Sequence, residues 1–136
     1  MAAAGYSGTP LWKKLGYAAD MRACLVQAPP DYPALVAPLP PGVVFQQQPD
    51  AGTGLVHIFC TERAQLADIL ATLRPLIGPT AMVWVSWPKK AAKVATDIGE
   101  DTIRALALPM GYVDVKVCAV DATWSGLKLV IRKSLR

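Results

Sequence analysis

One histidine stands in the 136-residue chain, at position 57. This scarcity removes most catalytic arrangements, because any imidazole chemistry has to use that residue. His57 lies inside an apolar run, "LVHIFC" at 55–60. Cys60 is three residues on and would face the other side of an extended strand, which speaks against a Cys-His pair from this segment. His57 is therefore expected to be buried and hydrogen-bonded rather than catalytic. Cysteine is also sparse: Cys24, Cys60 and Cys118 each sit in an apolar segment and no two have metal-ligand spacing. They read as reduced, buried thiols. No apolar stretch approaches the roughly 18 residues of a membrane helix, and the richest one, "ALVAPLPPGVVF", is interrupted by three prolines. The opening "MAAAGYSGTPLWKK" places its lysines after the mildly apolar part, the reverse of a secretory signal. The expectation is a cytoplasmic protein without a membrane partner.

What is present is apolar content. Hydrophobic residues make up 53% of the chain, which suits one domain over 1–136 with a well-covered core and strands buried on both faces. The formal net charge of +4 admits an anionic partner without specifying nucleic acid, which is not favoured on this evidence.

The segments alternate. Thr9 and Pro10 read as the N-cap and first residue of a short helix that Gly16 ends. "RACLVQA" (22–28) reads as a buried strand, Asp31 as the cap of a second short helix, and "VVFQQQ" (43–48) as a weak strand followed by the turn-rich "PDAGTG". "LVHIFC" is a strand. Thr61 then caps a helix in which Leu66, Ile69, Leu70, Leu73 and Ile77 recur at helical spacing, with Glu62 at its positive end and Gly78 and Pro79 as its stop. "AMVWVSW" (81–87) is the next strand, and "PKKAAKVATDIG" is a loop. A helix over roughly 100–108 follows, with Gly99 as N-cap, Ile98 stapled onto Ile103, and Glu100 and Asp101 in its first turn. "YVDVKVCAV" and "LKLVIRK" flank "DATWSG" with a period of two, indicating a hairpin with one wet face. Asp114 and Lys116 share a face there and are expected to pair.

Strands alternating with helices imply an α/β fold with a mostly parallel sheet. The terminal hairpin makes the last strand antiparallel. This order resembles the methyltransferase variant of the Rossmann-like fold, with "LVHIFC" similar to its fourth strand, "GPTAMVWVSW" to its fifth, and the hairpin to its sixth and seventh. The resemblance implies a glycine-rich loop after the first strand and an acidic residue at the end of the second, for adenosylmethionine. Here those places read "QAPPDY" and Gln46, Gln47 and Gln48, and there is no room for a third strand. Binding of adenosylmethionine in the usual way is not expected, and the cofactor is left open. Six residues linking the 43–48 and 55–60 strands are few for a parallel crossover, so the second strand is short or "PDAGTG" runs extended. "GYSGTPLWKKLG", "WVSWPKK", "ATD" and "DVKVCAVDATWSGLKLVIRK" together resemble a family of small bacterial proteins known as a domain of unknown function. That resemblance implies a stand-alone bacterial protein and brings no activity or site residue.

Ligands of open α/β sheets bind at the carboxyl ends of the strands. The topology expects three segments on that rim: the start of the opening helix, the loop after 81–87, and the hairpin tip. They contribute Ser7, Gly8, Thr9, Ser86, Lys89, Lys90, Asp121, Trp124 and Ser125. Two lysines, a tryptophan able to stack and a helix start suggest a site for a phosphate or carboxylate. The leading expectation is a non-catalytic binder of an anionic small molecule or partner. The rivals are a group-transfer enzyme related to adenosylmethionine-dependent methyltransferases and a nucleic-acid-associated protein using Lys13, Lys14, Lys89, Lys90 and Lys93. Whether the protein is an enzyme, and its oligomeric state, are left open.

Overall fold

A computed structural model describes residues 8–136; Ser7 lies outside them. The elements in chain order are α1 (Leu11–Leu15), β1 (Arg22–Val26), α2 (Tyr32–Leu35), β2 (Val44–Gln46), β3 (Leu55–Phe59), α3 (Arg63–Leu73), β4 (Met82–Pro88), α4 (Glu100–Ala107), β5 (Tyr112–Ala119) and β6 (Trp124–Ile131). One six-stranded sheet has the order β2-β1-β3-β4-β6-β5. The first four of these strands are parallel, and β6 is antiparallel to both β4 and β5. Every residue of β3 is buried, as a central parallel strand covered on both faces requires.

The alternation of β3 sorts the core into two layers. Val56, Ile58 and Cys60 join Leu66, Leu70 and Leu73 of α3 and Ile103 and Ala107 of α4. Leu55 and Phe59 join Leu15, Tyr17, Tyr32 and Trp84 under α1 and α2. Two long-range hydrogen bonds tie helices to these layers: Trp84 Nε1 donates to the Leu15 carbonyl at 2.8 Å, and the Tyr112 hydroxyl donates to the Leu70 carbonyl at 2.9 Å.

The short link between β2 and β3 is explained by register. β2 has three residues, and Gln46 lies level with Cys24, which itself lies level with Val56. The second strand thus ends near the height at which the third begins. Residues 47–54 need only pass sideways across β1, so no crossover helix is required.

Several local expectations are corrected. The N-cap of α1 is Pro10 rather than Thr9. α3 starts at Arg63, with Glu62 rather than Thr61 at the N-cap, and stops at Leu73 instead of running to Ile77. Pro75 follows, and proline lacks the amide that another helical turn needs; Ile77 still packs in the α3 layer. The β5–β6 register shifts between Asp114 and Lys116. This bulge interrupts the expected alternation and leaves Val115 and Val117 exposed. Asp114 consequently pairs with Arg104 Nε of α4 at 2.9 Å, not with Lys116. Among the described residues no helix is long and apolar enough to cross a membrane.

Candidate functional site

The carboxyl ends of the parallel strands meet the hairpin tip at one rim. Pro88 is paired with Trp124 across β4 and β6, and one residue later the Lys89 amide donates to the Thr123 carbonyl at 2.8 Å. The loop after β4 and the tip are therefore fastened together, as the topology predicts. Asp121 builds the tip: its Oδ1 accepts from the amides of Thr123 and Trp124, both at 2.8 Å. Trp124 is half-buried, its ring edge-on to Phe59 at 5.1 Å. Ser125 pairs with Trp87 and Ala119 in the ladder. Lys89 is half-buried and Lys90 is exposed. Neither forms an ion pair among the described residues.

The other predicted rim residues stand differently. Gly8 and Thr9 are exposed. Gly16, at the far end of α1, approaches Met82 at the start of β4, so α1 runs against the strand and begins towards the rim. With five residues it offers a weak macrodipole. Ser86 is fully buried and does not face the rim. Its hydroxyl lies 2.7 Å from His57 Nε2.

That contact belongs to a chain that no sequence motif marks. Tyr17 and Tyr32 hydroxyls are 2.6 Å apart, and the Tyr32 hydroxyl is 2.9 Å from His57 Nδ1. Both imidazole nitrogens are thus engaged, and His57 is completely buried, as its position in β3 leads one to expect. Burial drives its pKa down to about 3, so the ring is neutral at physiological pH. Burial also raises the Tyr17 hydroxyl to about 12, against the smaller opposing effect of its bond to Tyr32. Tyr17, Tyr32, His57 and Ser86 thus form a satisfied network in the core.

Asp97, which precedes α4, and Glu100, its first residue, have separate partners. Asp97 Oδ1 accepts from the Arg63 amide at 2.6 Å and so caps α3 from outside it. Glu100 pairs with Arg104. Among the described residues no cluster of histidine, cysteine and acidic side chains is arranged to hold a metal.

A groove of about 450 Å³ lies elsewhere, on the α3 side of β1, with Val26, Ile69, Leu73 and Leu76 among its apolar lining and Gln48 and Asp68 among its polar lining. It lies beside β1 and the helix-free β2–β3 link, and none of the rim residues lines it.

No family model and no curated protein matches the chain. Solved structures do. A SAM-dependent methyltransferase from Aquifex aeolicus superposes with a TM-score of 0.63 at 14% identity, covering 89% of this chain and 87% of that one. The ribosomal protein L11 methylase of Lactobacillus delbrueckii subsp. bulgaricus gives 0.52 at 9% identity, over 90% of this chain and 75% of that one. A Sulfolobus solfataricus protein assigned as a type 11 methyltransferase gives 0.51 at 11% identity, over 68% and 60%; the aligned region thus spans less than two thirds of that protein. The fold is methyltransferase-like.

The residues at the cofactor end of this methyltransferase-like sheet do not fit adenosylmethionine in the usual way. After β1, Gln27 adopts a left-handed backbone with φ 58°, and Pro29 and Pro30 supply no amide donors. Pro29 instead gives its carbonyl to the Tyr32 amide at 3.0 Å, turning the chain so that Tyr32 is buried under the loop. At the end of β2, Gln46 spends its side chain on Asp50 and Thr53, at 3.0 and 2.5 Å. No carboxylate stands in its place.

Proposed function

We propose that the rim binds an anionic group, a phosphate or a carboxylate, and that the protein acts by binding rather than by catalysis. The observation that supports this reading is the Lys89–Thr123 backbone bond, which fastens the segment carrying Lys89 and Lys90, neither with an acidic partner among the described residues, to the hairpin tip that carries Trp124. The ammonium groups supply charge, and the half-buried ring offers a flat apolar wall for a planar ligand. The one imidazole is held in the core, so no described histidine serves this rim as an acid or base.

Thermal shift with inorganic phosphate and nucleotides tests the reading. Stabilisation is expected, and Lys89→Ala with Lys90→Ala should abolish it; an unchanged shift in that double variant would refute the role of the lysines. A second reading, group transfer with adenosylmethionine, is favoured by three of the similar structures, which are named methyltransferases or a methylase. A shift with adenosylmethionine and none with phosphate would favour it over the first.

A further inference from the structure

Parallel strands are as a rule covered on both faces, and one patch of this sheet is not. On the α3 side, Cys24 of β1 is buried in the core layer, but Val26 at the end of the same strand is only half-buried. Val44 of β2 lies level with Arg22, two residues before Cys24, so it faces the same side; it is 55% exposed. The cause is local. Residues 47–54 join β2 to β3 without a helix, where a parallel connection usually lays one against the sheet. The groove of about 450 Å³ is left open beside that link, with Ile69, Leu73 and the 44%-exposed Leu76 of the α3 segment as its apolar wall. Asp68 is the one charged residue of its lining, and among the described residues it has no ion pair. Thr72, also in the lining, stands one turn further along the same face of α3.

We infer that this groove binds a small molecule with an apolar body and an amine head, the ammonium meeting Asp68. Its volume lies within the range of small-ligand sites, about 300–1,000 Å³. A partner helix, about 10–12 Å across with its side chains, would fill it with about one turn, too little to hold a docked segment. The apolar wall takes the hydrocarbon part of the ligand and removes it from water. An ammonium has three donors, and Gln48, Asp68 and Thr72 each offer an oxygen acceptor. A carboxylate or phosphate head would meet the like charge of Asp68, with no cationic side chain in the lining to offset it. The groove is separate from the rim, selects the opposite charge and does not rest on the rim reading.

Amide NMR titration of the full chain with octylamine, octanol and octanoate, three probes that share a chain length and differ in the head, tests this. Octylamine at millimolar concentration should move the Val26, Ile69, Leu73 and Leu76 amides together and saturably. Octanol should move them more weakly, and octanoate should leave them still. Asp68→Asn, at an exposed helix position, should weaken octylamine by about two- to five-fold, the scale of one exposed ion pair, and leave octanol unchanged. Leu76→Ser, also at an exposed position, should weaken octylamine and octanol alike. Inorganic phosphate should leave the groove amides still, so that failure here and failure of the rim reading are told apart. No saturable movement with octylamine, equal binding of octanoate, or an unchanged octylamine affinity in Asp68→Asn would overturn the inference.

Discussion

Acidification from pH 7 to pH 5 isolates a single side chain in this protein, because His57 is its only histidine. In the folded state the imidazole is dry, and Tyr32 and Ser86 occupy its two nitrogens. In the neutral ring one nitrogen accepts and the other donates; protonation would make both donors and place a charge in the core. The folded pKa is about 3, against about 6.5 in the unfolded chain. Between those values the unfolded state binds the extra proton, so stability falls as pH drops through 6.5 and is flat above it. The loss is about 2 kcal/mol from pH 7 to pH 5, growing to about 4 kcal/mol by pH 3. Hydrogen bonds, led by the Gly52 amide for Asp50 and by Arg104 for Asp114, lower both carboxyls against the smaller opposing effect of burial. Their contribution is therefore lost only below about pH 4, outside the window. Urea unfolding reads the effect: the midpoint should move down by about 1 M between pH 7 and pH 5. His57→Gln, which cannot titrate, should be less stable at pH 7 but show almost no further change at pH 5. Equal midpoints at the two pH values in the natural chain, or the same drop in His57→Gln, would refute the buried neutral histidine.

Two further substitutions probe packing and capping. Gly126→Ala would set a methyl 3.2 Å from the Trp84 ring and 3.3 Å from Val120; the overpacking should cost about 1–3 kcal/mol in chemical denaturation, and a neutral result would show that the layer has slack. Asp97→Ala removes the carboxylate that meets the Arg63 amide and should cost about 1 kcal/mol, with faster hydrogen exchange confined to the first turn of α3; unchanged exchange there would deny the cap.

The periodic parts of the fold were readable in the sequence. The unbroken apolar run of β3 matches a strand buried on both sides, and "EDTIRALA" after Gly99 forms α4, with the Gly99 amide donating to Thr102 Oγ1. Alternation and the final hairpin implied a mostly parallel sheet with an antiparallel last strand, and the strand order agrees with the methyltransferase resemblance. Contacts between distant segments left no local trace. Tyr17, Tyr32, His57 and Ser86 are separated by 15, 25 and 29 residues at successive bonds, so Ser86 read as a loop-side polar residue when it is a core partner. The same holds for Asp97, which stands just before α4 in the chain and caps α3 instead. Asp114 was assigned by period two, and one bulged residue sent it to Arg104. The rim was partly legible because chain direction alone brings Lys89 beside the hairpin tip.

The central claim is that this rim takes an anion. Amide and indole NMR shifts during titration with inorganic phosphate test it most directly. Concerted, saturable movement of Lys89, Lys90, Thr123 and the Trp124 indole is predicted. Movement confined to other surfaces, or none at all, would contradict the account.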